Sequence, residues 1–220
     1  MTKTTKSILI ILSILLVDQV SKYFVKTNMT MYQDIYVLGK RFIIKFIEND
    51  GMAFGLDLPG NNGKLVLTSF RILAVVGIGI YLRHLIKVKS TLGLIVSVSL
   101  ILAGALGNII DSVFYGVIYS QSTQFSVASL FPEGGGYGTL MHGHVVDMFY
   151  FPIFRGYWPD WVPLKGGDSF EFFRPVFNVA DSSITVGVSL ILIFQKRFFL
   201  VESKKPISKE DSEPELVEEK

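Results

Sequence analysis

TLGLIVSVSLILAGALGNIIDSVFYGVI, Thr91 to Ile118, carries no charged side chain before Asp111. A helix rising 1.5 Å per residue crosses a hydrocarbon core about 30 Å thick in roughly 20 residues, so this run is long enough to span a bilayer. Three further stretches meet the same requirement: Ser7 to Val25, Lys64 to Leu82, and Val176 to Leu200. The expected fold is an all-α membrane protein with four transmembrane helices. Composition agrees, because half of the 220 residues are hydrophobic, 18% are charged and the mean hydropathy is +0.45, well above what a soluble domain needs.

Charge placement gives an orientation. Lys3 and Lys6 precede the first span, Arg83 to Lys89 joins the second to the third, and Lys196, Arg197, Lys204 and Lys205 follow the fourth. The positive-inside rule puts these ends, and both termini, in the cytoplasm. The longer connections, 26–63 and 119–175, are then outside. Lys3 and Lys6 before a short apolar run also suit a cleavable signal sequence, but no small-x-small site follows, and the run is read as a retained span. Residues 1–200 are expected to form one membrane domain, and 201–220, rich in Lys, Glu, Ser and Pro, a disordered cytoplasmic tail. A net charge of +2 argues against a nucleic-acid partner, and zero cysteines exclude disulfides and thiol chemistry.

The runs flanking Gly39-Lys40 between Asp34 and Phe46 read as a β-hairpin, a small cradle on the membrane surface. The second outer connection, with Phe131-Pro132-Glu133-Gly134-Gly135-Gly136 and Tyr157-Trp158-Pro159-Asp160-Trp161, reads as irregular loop with rings at headgroup level.

A charged residue at mid-bilayer costs on the order of 2.5–3.5 kcal/mol on insertion scales, so each one asks for a reason. Asp18 and Lys22 lie one helical turn apart in the outer half of the first span, as an ion pair or as part of a site. Gly104, Asn108 and Asp111 form one stripe in the third span, and Asn178, Asp181, Ser182 and Thr185 another at the start of the fourth. Spans of alternating direction thus place polar groups at one depth, which points to a shared site. Arg71 is within snorkelling reach of the headgroups, or lends positive charge to the acidic cluster.

Several chemistries compete for that site. His142-Gly143-His144 with Asp147 offers an imidazole pair, but not at helical metal-binding spacing, and no second ligand cluster accompanies it; no metal and no cofactor are expected. No serine elbow or paired lysine base is visible. A transporter needs polar groups through the full depth, whereas Leu92 to Leu102 and Val186 to Phe194 are almost wholly apolar. Two aspartates sharing one proton can hydrolyse a peptide bond, and Asp147 and Asp181 can both approach the outer surface.

Five segments in order resemble the lipoprotein signal peptidases, or signal peptidase II. They are Asp18-Gln19-Val20-Ser21-Lys22, Asn49-Asp50-Gly51-Met52-Ala53-Phe54-Gly55, Gly104 to Asp111, His144-Val145-Val146-Asp147, and Phe177-Asn178-Val179-Ala180-Asp181-Ser182. The resemblance implies a bacterial inner-membrane aspartyl endopeptidase with Asp147 and Asp181 as its catalytic pair. Asp18, Lys22, Asn49, Gly51, Ala53, Phe54, Gly104, Asn108, Asp111, Val146, Asn178 and Ala180 would bind substrate or shape the site. The implied substrate is a prolipoprotein carrying diacylglyceryl on its future N-terminal cysteine, cut just before that cysteine by a monomer in contact with membrane lipid. Two departures stand out. Ser112 occupies the place where the family usually has arginine, with Arg71 or Arg174 as replacement cations, and the stretches 121–141 and 151–174 are longer than the family's usual connections.

Overall fold

A computed structural model of the chain describes residues 1–49, 61–172 and 175–199, excluding the side chains at 61, 62, 155 and 171. Four helices cross: Lys3–Asn28, Asn61–Lys87, Leu92–Ile118 and Val179–Phe199. The third is the centre of the bundle, with half of its most apolar window buried against 11–17% for the others. Leu16, Phe70, Leu73, Ile80 and Ile193 point outward, away from the protein, as lipid-facing residues do. Lys3 Nζ donates to the carbonyl of Lys89 at 2.8 Å, so the first helix begins where the connection between the second and third lies.

With no hydrophobic drive between helices inside lipid, close packing of small residues must hold them. A Cβ added at Gly104 would sit 2.2 Å from the Ala180 carbonyl oxygen, and one at Gly187 would sit 2.6 Å from that of Ser97. The third and fourth helices therefore run antiparallel almost backbone to backbone. Ser7 and Ser99 share a buried 2.7 Å hydrogen bond between the first helix and the third.

Near its C-terminal end the third helix widens into a π turn, Asp111–Tyr115. The extra residue lets Asp111 and Ser112, adjacent in sequence, both face the interior.

The end of the bundle away from the connection between the second and third helices holds a four-stranded antiparallel sheet in the order β1 (Asp34–Tyr36), β2 (Ile43–Asn49), β3 (Val145–Tyr150) and β6 (Val176–Phe177). A separate ribbon pairs β4 (Phe154–Tyr157) with β5 (Ser169–Phe172). The expected hairpin around Gly39 forms, but β2 continues to Asn49. The second long connection differs from the irregular loop expected over 119–175, because it supplies three strands, β3, β4 and β5. Val145 to Tyr150 is buried on nearly every residue, so the strand carries no apolar–polar alternation to read. Stretch 121–141 is irregular apart from a bridge between Tyr119 and Leu130. Val176 and Phe177, expected within the fourth span, are a strand, and the helix starts at Val179.

Between Ile44 and Ile47 the β2–β3 register gains one residue on β2. This bulge turns both Ile43 and Phe46 inward and resets the alternation beyond it. Phe46, Val146 and Met148 pack on Val25, Met29, Tyr115 and Tyr119 at the C-terminal ends of the first and third helices. Glu48 follows Phe46 onto that face, while Asn49 and Asp147 take the other.

Candidate functional site

Asp181 is positioned by the start of its own helix. Asn178 is the cap: its Oδ1 accepts from the Asp181 backbone N–H at 2.8 Å, and an Asp181 carboxylate oxygen accepts from the Asn178 N–H at 3.3 Å. This is a reciprocal capping box in which both side chains satisfy orphan amides. The next orphan N–H, that of Ala180, donates to Asp18 Oδ1 across the bundle at 2.9 Å.

Asp147 comes from β3, and the cap brings it alongside. The Asn178 side-chain amide donates to Asp147 Oδ1 at 2.8 Å and lies 3.2 Å from the Val146 carbonyl and 3.1 Å from Asn108 Oδ1. Asn49, diagonal to Asp147 across the β2–β3 ladder, donates its amide to the other carboxylate oxygen. Asn108 Nδ2 donates to Asp181 Oδ1 at 2.8 Å. Each carboxylate thus keeps a fixed set of amide donors, and Asn178 touches both. Burial, then the charge of Asp181, push the Asp147 carboxyl up to about 8, far above the usual carboxylate range.

Beneath the pair lies a fully buried ionic triad. Lys22 Nζ is 2.8 Å from Asp18 and 2.7 Å from Asp111, and it donates to Asn108 Oδ1 at 3.0 Å. Asp18 and Lys22 are therefore both an ion pair and part of the site's scaffold. Gln19 ties the triad together, donating to Asp111 at 2.9 Å and accepting from the Tyr115 hydroxyl at 3.1 Å. Glycine is needed at 107 because an added Cβ would lie 2.6 Å from an Asp18 carboxylate oxygen.

Ser112 carries no charge into this region; its hydroxyl bonds the Asn108 carbonyl at 2.9 Å. Arg71 lines a pocket of about 260 Å³ with Asn108 and Asp181 between the second, third and fourth helices, close enough to act electrostatically on Asp181. A second buried cation escaped the sequence reading. Lys26, one turn beyond Lys22, pairs with Glu48, lies 3.1 Å from the Ser122 hydroxyl, and sits over the rings of Tyr119 and Tyr137 at 5.3 and 5.1 Å. It joins the first helix, β2 and stretch 121–141, and its charge also acts on Asp111. The i+4 continuation Asp18, Lys22, Lys26 was the signal; the partner on β2 was not visible. Gly51, Ala53, Phe54, Arg174 and the 201–220 tail lie outside the described residues.

The fold is thus a four-helix membrane bundle that holds two carboxylates on one asparagine at its mouth. The family model for signal peptidase (SPase) II matches residues 10–197. A lipoprotein signal peptidase of Porphyromonas gingivalis is 49% identical over 93% of this chain and 91% of its own length. One from Amoebophilus asiaticus is 37% identical over 92% and 82%. A solved bacterial membrane enzyme superposes with a TM-score of 0.57 at 28% identity, covering 96% of this chain and 95% of that one, and another with 0.56 at 30%. The chain belongs to the signal peptidase II family, the aspartic lipoprotein signal peptidases, and is a multi-pass bacterial membrane protein.

Proposed function

We propose that the chain removes signal peptides from prolipoproteins by hydrolysing the bond before a diacylglyceryl-modified cysteine, with Asp147 and Asp181 as the catalytic pair. The observation that carries this is Asn178, which bonds Asp147 through its amide and Asp181 through reciprocal capping. Asp147, raised in pKa, bears the shared proton and donates it to the scissile carbonyl oxygen. Asp181 accepts a proton from water as the water oxygen bonds the carbonyl carbon. Collapse of the tetrahedral diol breaks the C–N bond as one of its hydroxyls returns a proton to Asp147, and the proton held by Asp181 passes to the departing amine.

Asp18, Lys22, Asn108, Asp111 and Asn178 orient the pair, Gly104 and Ala180 bring the third and fourth helices together, and Val146 offers its carbonyl beside the site. Asn49 holds Asp147, and the family resemblance assigns substrate contact to Gly51, Ala53 and Phe54 as well. The site faces outward and the termini face the cytoplasm, following the lysine and arginine distribution. One chain supplies every group, so a monomer suffices. The lipid on the substrate holds the scissile bond at a fixed depth and so contributes proximity.

Two measurements test this reading. Purified protein should cleave a diacylglyceryl-modified prolipoprotein immediately before the lipidated cysteine, by mass spectrometry, and leave the unmodified precursor intact; equal cutting of both would remove the lipid from the recognition. Deprotonation of Asp147 removes the general acid, so turnover should fall roughly tenfold per pH unit above about 8. A rate still climbing through pH 9 would exclude Asp147 as the proton donor.

Arg71 supplies positive charge on the Asp181 side of the site, where Ser112 supplies none. Arg71→Ala should lower kcat by roughly ten- to a hundredfold, the scale of a lost charge contact of about 1.5–3 kcal/mol, while yield and thermal unfolding stay near wild type. An unchanged kcat would return Arg71 to simple snorkelling.

A further inference from the structure

The β4–β5 ribbon has two unlike faces. Its register sets Phe154 opposite Phe172 and Gly156 opposite Phe170, so these positions share a face. Trp158, just past β4, joins them, with ring centroids 5.0 Å from Phe170. The alternate positions pair Arg155 with Glu171 and Tyr157 with Ser169. Phe154 and Phe172 remain 58% and 63% exposed on the aromatic face, and Trp161 and Leu164 in the connecting turn are 81% and 102% exposed. A two-stranded hairpin is marginal in water without a surface to pack on, and among the described residues no second layer covers these rings.

Where the ribbon is rooted indicates what covers it. β4 begins only four positions after Tyr150, which ends β3 and pairs with Val176, three positions before the first residue of the fourth helix. Even fully extended, the link from Tyr150 to Phe154 reaches roughly 14 Å. The base of the ribbon is therefore held beside the outer boundary of the bilayer, where the fourth helix enters. Tryptophan and other aromatic rings partition to that boundary because one edge suits acyl chain and the other suits water.

We infer that the β4–β5 ribbon is a membrane-interfacial foot, its aromatic face and turn seated in the outer leaflet beside the active site. The occupant of this face is lipid, present before any substrate arrives. The bilayer supplies the missing layer of the ribbon, and the ribbon in turn fixes the height of β3 and β6, from which Asp147 and Asn178 project.

The chain provides its own reporters, since its two tryptophans, Trp158 and Trp161, both lie in this turn. Full-length protein in nanodiscs of phosphatidylglycerol and phosphatidylethanolamine should emit as shielded indole, resist iodide, and lose most of its emission when the lipids are brominated near the headgroup end of the acyl chains. The absence of cysteine also allows a single environment-sensitive label at Leu164→Cys, which should shift to the blue and be quenched by the same brominated lipids. Water-like emission, quenched by iodide and indifferent to bromination at both positions, overturns the inference. So does lipid-independent emission that changes only on adding a prolipoprotein signal peptide, which would make the face a substrate surface. Neither readout depends on catalysis, so failure here leaves the proposed peptidase reaction standing.

Discussion

Asp147→Asn and Asp181→Asn should each slow cleavage of a diacylglyceryl-modified prolipoprotein by roughly 10²–10⁴-fold, the span that a positioned acid or base contributes. Asparagine keeps the size of aspartate and one acceptor oxygen, so Asn178 retains a partner at either position and the capping box survives at 181. The loss then reports proton transfer and not folding, which thermal unfolding in detergent would verify. The two substitutions should not add. A pair that shares one proton acts as a unit, and removing either member already ends its work. The double variant is expected to be little slower than the slower single one. Retained cleavage in either single variant, with the protein folded, would sink the assignment of that residue.

What could be read from the sequence divides along the range of the interactions. The four helices, and the stripes Gly104-Asn108-Asp111 and Asn178-Asp181, were legible because helical spacing alone brings such residues to one face. Their meeting was also inferable, since lipid penalises polar groups that have no common partner. Asp147 is different: it belongs to β3, a strand without alternation, and its neighbour Asn49 is far away along the chain. Only the β2–β3 register, reset by a bulge, makes them adjacent. Lys26 with Glu48 was hidden for the same reason, because a lysine near the end of a span reads as a headgroup anchor until its partner on a strand is known. The π turn that faces both Asp111 and Ser112 inward has no sequence signature, and it is what allows Ser112 to be buried beside Asp111.

Lys22→Met should destabilise the protein severely. It leaves Asp18 and Asp111 buried with no cation between them, and breaking a buried ionic cluster from one side costs about 3–5 kcal/mol. The expected result is poor recovery from membranes and a large drop in Tm. Adding Asp18→Asn and Asp111→Asn removes the stranded charge and should restore most of the stability, because well-matched neutral replacements of buried ionic groups are often tolerated; the side-chain amide oxygen introduced by Asp18→Asn would still accept from the Ala180 N–H. Catalysis should not return with it. Lys22 donates to Asn108 Oδ1, which leaves Asn108 Nδ2 to face Asp181. Without that ammonium the Asn108 oxygen is held by the Asn178 amide alone, so the donor that Asn108 presents to the Asp181 carboxylate is less firmly fixed. The triple variant should therefore fold with near-normal Tm yet cleave at least about tenfold more slowly, the scale of losing one charge-assisted hydrogen bond. Wild-type turnover in a stable triple variant would reduce Lys22 to a packing element, whereas an intact Tm in Lys22→Met alone would mean that the triad does not hold the bundle together.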